Sequence, residues 1–125
     1  MNRTGSLAKD IVQSDLPKIL AGDGKVLVDS AERLGKELAS KNGMKVSQIR
    51  KIFAEMQRIT EFDEYRINMM RARLAYVAGR HKEVAPLENV LTEALAQISD
   101  EDQLDHVKDF FEAIVAYHKR AGGSE

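Results

Sequence analysis

Apolar residues recur along this chain at steps of three and four, the spacing of helices that each bury one side. No stretch alternates with period two for long enough to make a strand. From Lys25 onward the pattern predicts five helices. The first, about 26–40, places Leu27, Ala31, Leu34 and Leu38 on one stripe, and Asn42-Gly43 ends it with residues that tolerate a left-handed cap. Ser47 stands where an N-cap is expected before the second, whose stripe is Ile49, Ile52, Phe53 and Met56. Arg50 and Lys51 cannot share that stripe and are expected to point outward. A break around Thr60–Phe62 leads to the third helix, Asp63 to Gly79, with Ile67, Met70, Leu74 and Val77 in line and Gly79 as its C-cap. Pro86 opens the fourth, about 85–98, whose stripe is Leu87, Val90, Leu91, Ala94, Leu95 and Ile98. Ser99 or Asp100 caps the fifth, with Gln103 placed to complete a capping box from Asp100. Its core face is Leu104, Val107, Phe110 or Phe111, Ile114, and Tyr117 or His118, and Gly122-Gly123 ends it.

Residues 1–24 are less regular. Gly5, Pro17, Gly22 and Gly24 interrupt a mixed-charge background, with one short helix around Ser6–Leu20 the most structure the pattern allows. The expected architecture is therefore all-α: a single compact five-helix bundle over residues 25–123, behind a flexible N-terminal extension over residues 1–24. At 125 residues the chain is one domain, able to bury about two-thirds of its unfolded surface. It has no cysteine, which rules out a disulfide framework and thiolate chemistry and fits a cytoplasmic setting. No apolar run approaches the ~18 residues that span a bilayer, and the N-terminus lacks the apolar core of a signal peptide. No membrane association is expected.

Charge changes the picture more than composition does. The net charge is −1, yet residues 1–40 sum to zero, residues 41–82 to +6 and residues 83–125 to −7. A near-neutral chain with a basic middle and an acidic end suggests one surface for a polyanion and another kept clear of it. Salt bridging between the two halves is the plainer alternative. On the third helix Arg66, Arg73 and Arg80 fall seven residues apart, a row of cations about 10 Å apart along the axis. Arg71 lies across the apolar stripe from that row. A solvated charged flank is the competing reading of all four.

Residue types exclude most catalytic chemistry. His81, His106 and His118 are scattered, and the positions three before them hold Ala78, Gln103 and Val115 rather than the Glu of a di-iron helical site. No serine sits in a nucleophile elbow, and no glycine-rich turn follows a strand to cradle a phosphate. No cofactor, metal or enzymatic activity is expected.

Three segments carry a resemblance. SQIRKIF (47–53), RARLAYVAGR (71–80) and FFEAIVAYHKRAGG (110–123) are similar, in order and spacing, to the small helical subunit family of the type III-A CRISPR effector, the Csm complex. The resemblance covers about residues 27–123. It implies a non-catalytic subunit for antiviral defence, several copies of which line the guide-RNA filament and help hold target RNA paired with the guide. Its implied partners are guide RNA, target RNA, the other subunits of the complex and further copies of itself; the cutting and signalling belong to other subunits. Carried over by motif position, Arg50, Lys51, Arg71, Arg80 and Lys119 are the expected RNA-facing cations, with Tyr76 supporting or stacking. Arg66 and Arg73 rest on the helix-face argument alone. Two readings compete with this one: a helix-turn-helix DNA-binding regulator built on the second and third helices, and a helical protein-binding adaptor.

Overall fold

The computed structural model describes residues 3–124, with side chains from Leu7 onward; residues 1, 2 and 125 lie outside the described residues. Six helices make up the described chain, with no strand among them. They are α1 (Arg3–Asp10, a π-helical turn Ile11–Asp15, then Leu16–Leu20), α2 (Gly24–Leu38), α3 (Val46–Gln57), α4 (Glu64–Arg80), α5 (Ala85–Gln97) and α6 (Glu101–Arg120). A short 3-10 turn, Lys82–Val84, joins α4 to α5.

The N-terminal helix is the main departure from the expected five. Ala8, Ile11, Leu16, Ile19 and Leu20 are all buried in the common core, so this segment is a packed sixth helix where a flexible extension was expected. The π turn explains why the pattern hid it. Leu16 N–H donates to Ile11 C=O, five residues back, so one extra residue enters the turn and the buried positions step by five there. The wide turn falls just before Pro17, whose ring would otherwise crowd the carbonyl of Gln13. Gly22, at φ +95°, then lets the chain reverse: Gly22 N–H donates to Ile19 C=O and Asp23 N–H to Lys18 C=O. Asp15 fastens the helix to α2 by accepting from Ser30 Oγ and from Arg33, each at 2.7 Å.

The other helices follow the stripes closely. Leu27, Ala31, Leu34 and Leu38 are buried, and Asn42 takes the left-handed conformation at φ 64°. Two expected caps shift by two residues, and one capping contact shifts by one. Lys45, not Ser47, occupies the N-cap of α3, where Gln48 accepts from its backbone N–H at 2.8 Å. Helix α4 runs one residue past Gly79 and is capped by His81 in extended conformation; Gly79 itself is exposed in the last helical turn. Asp100 caps α6 as expected, but the Gln103 side chain accepts from Ser99 N–H at 2.7 Å, not from Asp100.

Helices α2 and α6 form the central pair, with α3 against α6, α4 against α5, and α1 across α2, α5 and α6. Gly35 permits the close approach of α2 to α6: a Cβ there would lie 2.9 Å from His118 N and from Tyr117 Cβ. Both Phe110 and Phe111 are buried, and Phe111 meets Phe53 edge-on at 5.2 Å. His118 is also fully buried. Its Nε2–H donates to Met44 C=O at 2.8 Å, and its Nδ1 has no partner among the described residues. Gly122 at φ +97° turns the chain so that Gly123 N–H reaches His118 C=O and Ser124 C=O accepts from Val46 N–H. The C-terminal glycine pair therefore fastens the end of α6 to the start of α3.

Candidate nucleic-acid interface

Helix α4 begins where Asp63 accepts from Arg66 N–H at 3.1 Å, and it carries Glu64 in its first turn and Arg80 in its last, the favourable signs for the helix dipole. It buries only Ile67, Met70 and Leu74, with Val77 half-buried. Beside that stripe, facing α3, runs an open groove in two connected parts. One, about 820 Å³, is walled by Arg58, Ile59, Tyr65, Arg66 and Met69 among others. The other, about 640 Å³, is walled by Lys45, Lys51, Val77, Arg80 and His81 among others. Glu55, Arg73 and Tyr76 line both.

The charges in these two parts are arranged differently. In the middle, Arg73 Nε sits 2.9 Å from Glu55 Oε1, an ion pair that ties α4 to α3. Arg66 Nε lies 3.6 Å from Asp63. At the other end, among the described residues, Lys45, Lys51 and Arg80 have no carboxylate within ion-pair distance. Arg80 lies 6.0 Å from the centre of the Tyr76 ring and 3.4 Å from its hydroxyl. One carboxylate tempers this end. Glu83 is held below the usual carboxylate range chiefly by the hydrogen bond from Gln48 Nε2 at 2.8 Å, then by a backbone hydrogen bond, with His81 and Lys45 nearby.

The structure thus brings Lys51, Arg66, Arg73, Tyr76 and Arg80 to one groove. The row of three arginines falls where the seven-residue spacing put it. Arg50 is exposed on α3 but does not line the groove. Arg71 is across the buried stripe and half-buried, its guanidinium donating to Asn68 Oδ1 at 2.9 Å while its Nε is shielded without a partner. Lys119 is exposed at the last turn of α6 and also lies outside the groove. Lys45 and Arg58 belong to the basic middle of the chain, but nothing in their spacing singles them out, and Tyr65 and Met69 lie off the buried stripe. A signal for the last two existed. Tyr65, Met69, Ala72 and Tyr76 make a second apolar stripe at steps of four, three and four, and Tyr65, Met69 and Tyr76 are 75%, 53% and 60% exposed.

The acidic end of the chain touches the basic middle at Glu83 and at Glu101, which accepts from Phe62 N–H. Among the described residues no lysine or arginine of 41–82 is ion-paired with a carboxylate of 83–125. Asp102, Asp105, Asp109 and Glu112 instead lie exposed on α6. Among the described residues no group of three histidines and carboxylates is placed to hold a metal ion, and no helix is long and apolar enough to cross a membrane.

Comparison with known proteins agrees with the motif resemblance. A family model described as Csm2 Type III-A matches residues 21–124. A protein of Streptococcus thermophilus named "CRISPR system Cms protein Csm2" is 32% identical over 112 residues, covering 78% of this chain and 93% of that protein. No solved structure matches the chain.

Proposed function

The chain belongs to the Csm2 family of type III-A CRISPR effector subunits, and on that premise we propose that it is a non-catalytic RNA-binding subunit whose α3–α4 groove receives RNA phosphates at its Arg80 end. Membership in the complex implies other Csm subunits and guide RNA as partners. The reading extends to target RNA, held paired with the guide by several copies of this chain along the filament. It displaces the DNA-binding regulator and the free-standing adaptor, neither of which the family match supports.

The observation that carries the proposal is the cluster of Lys45, Lys51 and Arg80, cations without ion-pair partners among the described residues, beside an exposed Tyr76. Phosphate contacts of this kind position a strand without reading its bases, which suits a subunit that must accept any guide. One such cluster binds weakly alone. Repetition along a filament strengthens it through effective concentration. Arg73 lies next along the groove and would join after releasing Glu55; Arg66 lies beyond it, paired with Asp63, and its RNA contact rests on the helix-face argument alone. Arg50, Arg71 and Lys119 face elsewhere; their proposed RNA contacts rest on the family motif, and they would meet a strand that wraps past the groove.

The test is a Lys51→Ala/Arg80→Ala double variant. Its helical content and melting temperature should match the parent, because both side chains are exposed. Affinity for single-stranded RNA should fall about equally for unrelated sequences. The slope of log K against log salt should become shallower by about 0.7 for each phosphate that is no longer neutralised. A normally folded double variant that keeps the parental slope would show this end of the groove to be a solvated flank.

A further inference from the structure

The other end of the groove has different chemistry. Tyr65 and Met69 are large, apolar and mostly exposed, with Ile59 and Met70 forming the floor behind them. Two of the three arginines beside them are already neutralised within the chain, Arg73 by Glu55 and Arg66 by Asp63. A phosphate reaching Arg73 or Arg66 would have to displace a carboxylate first, which leaves Arg58 as the one ready cation at this end among the described residues. Base stacking is also poorly served. Tyr65 and Tyr76 are eleven residues apart, about 16 Å along the helix, with a methionine between them. Tyrosine, methionine and arginine around an apolar floor are instead the residue types enriched where proteins meet.

We infer that the Tyr65–Met69 end of the groove is a docking surface for a different protein subunit of the effector complex, one that presents aliphatic side chains with a carboxylate opposite Arg58. Arg58 motivates the carboxylate: it is exposed, lines the groove and has no ion-pair partner among the described residues. A second copy of this chain fits less well. Two copies meeting groove to groove would bring their unpaired Arg58 side chains to one face while Glu55 and Asp63 are already engaged, a like-charge contact. The acidic surface of α6, with Asp102, Asp105, Asp109 and Glu112, is too polar to cover Tyr65 and Met69. The groove therefore divides into an RNA end and a protein end around the Arg73–Glu55 pair.

Two measurements on the assembled complex test this. In the first, a Tyr65→Ala/Met69→Ala variant is offered for incorporation into a complex reconstituted with guide RNA and the remaining subunits. Incorporation should weaken by about tenfold or more, the loss expected when two anchoring side chains of an interface are truncated. Affinity of the isolated variant for single-stranded RNA should stay within about twofold of the parent. Unchanged incorporation, or RNA affinity that falls in step with it, overturns the inference. In the second, Tyr65→benzoylphenylalanine is irradiated in the assembled complex. An adduct with another protein subunit supports the docking surface. An adduct with RNA, an adduct with a second copy of this chain, or no adduct overturns it. Because RNA affinity is read separately, failure here is distinct from failure of the RNA reading.

Discussion

Helices α4 and α6 are both long and both arginine-bearing, yet they relate to the core in opposite ways. Helix α6 buries six of its 20 residues, including a histidine, whereas α4 buries three of its 17. Apolar residues on α6 are nearly all engaged in folding. On α4 the stripe Tyr65, Met69, Tyr76 is left outside, next to a row of arginines. The lesson is that apolar content does not itself mark a core helix. What distinguishes α4 is a second stripe that the fold does not cover, and uncovered apolar surface together with cations is what interfaces are made from.

The largest loss is expected on α6. Phe111→Ala removes a fully buried ring packed edge-on against Phe53 and should cost about 3–5 kcal/mol in a denaturant titration. A cost below about 1 kcal/mol would mean that α6 is not the centre of the core. Leu74→Ala tests the narrow buried stripe of α4 in the same way. It should cost about 2–5 kcal/mol, since Leu74 is fully buried although most of its helix is exposed. Gly123→Ala probes the seal at the end of α6, where an added Cβ would collide with the His118 ring. Overpacking of this kind should cost about 1–3 kcal/mol, and a melting temperature equal to the parent's would show that the ring moves aside freely.

At the uncovered stripe the effect should nearly vanish. Tyr65→Ala should change stability by no more than about 0.5 kcal/mol, because the side chain is 75% exposed. A loss comparable with that of Leu74→Ala would place Tyr65 in the core and remove the contrast on which the two-ended groove rests. The smallest effect is linked to pH. Burial pushes the Glu37 carboxyl up from its ordinary value, and its Oε2 is shielded without a partner. The raised value means the folded state binds the proton more tightly, so Glu37 lowers stability as pH rises through and above the ordinary carboxylate value. Glu37→Gln should therefore melt slightly higher than the parent at neutral pH. The difference should fade as pH falls below that value, and a difference that grows on acidification would reverse the sign.

Most of this protein's helices can be read along the chain. The stripes of α2 through α6 could be read because side chains three and four apart on a helix must share a face, and each such face found the core. The row of Arg66, Arg73 and Arg80 could be read for the same reason, as could Arg71's place across the stripe. Membership in the type III-A family was legible in three short segments. The tertiary structure then separated their roles: the glycine pair of the last one closes the fold against His118, while the arginine segment lines a surface. Three things were decided only by packing. Helix α1 was hidden because the π turn before Pro17 breaks the periodicity, and its burial depends on partners that lie on distant helices. Ser47, Gly79 and Gln103 missed their expected capping roles because caps follow the backbone path between helices, which no local pattern encodes. The groove itself depends on α3 lying alongside α4, bringing Lys45, Lys51 and Glu55 of one to Arg73, Tyr76 and Arg80 of the other. Charge pairing across that seam is a matter of distance in space, and spacing along the chain carries no record of it.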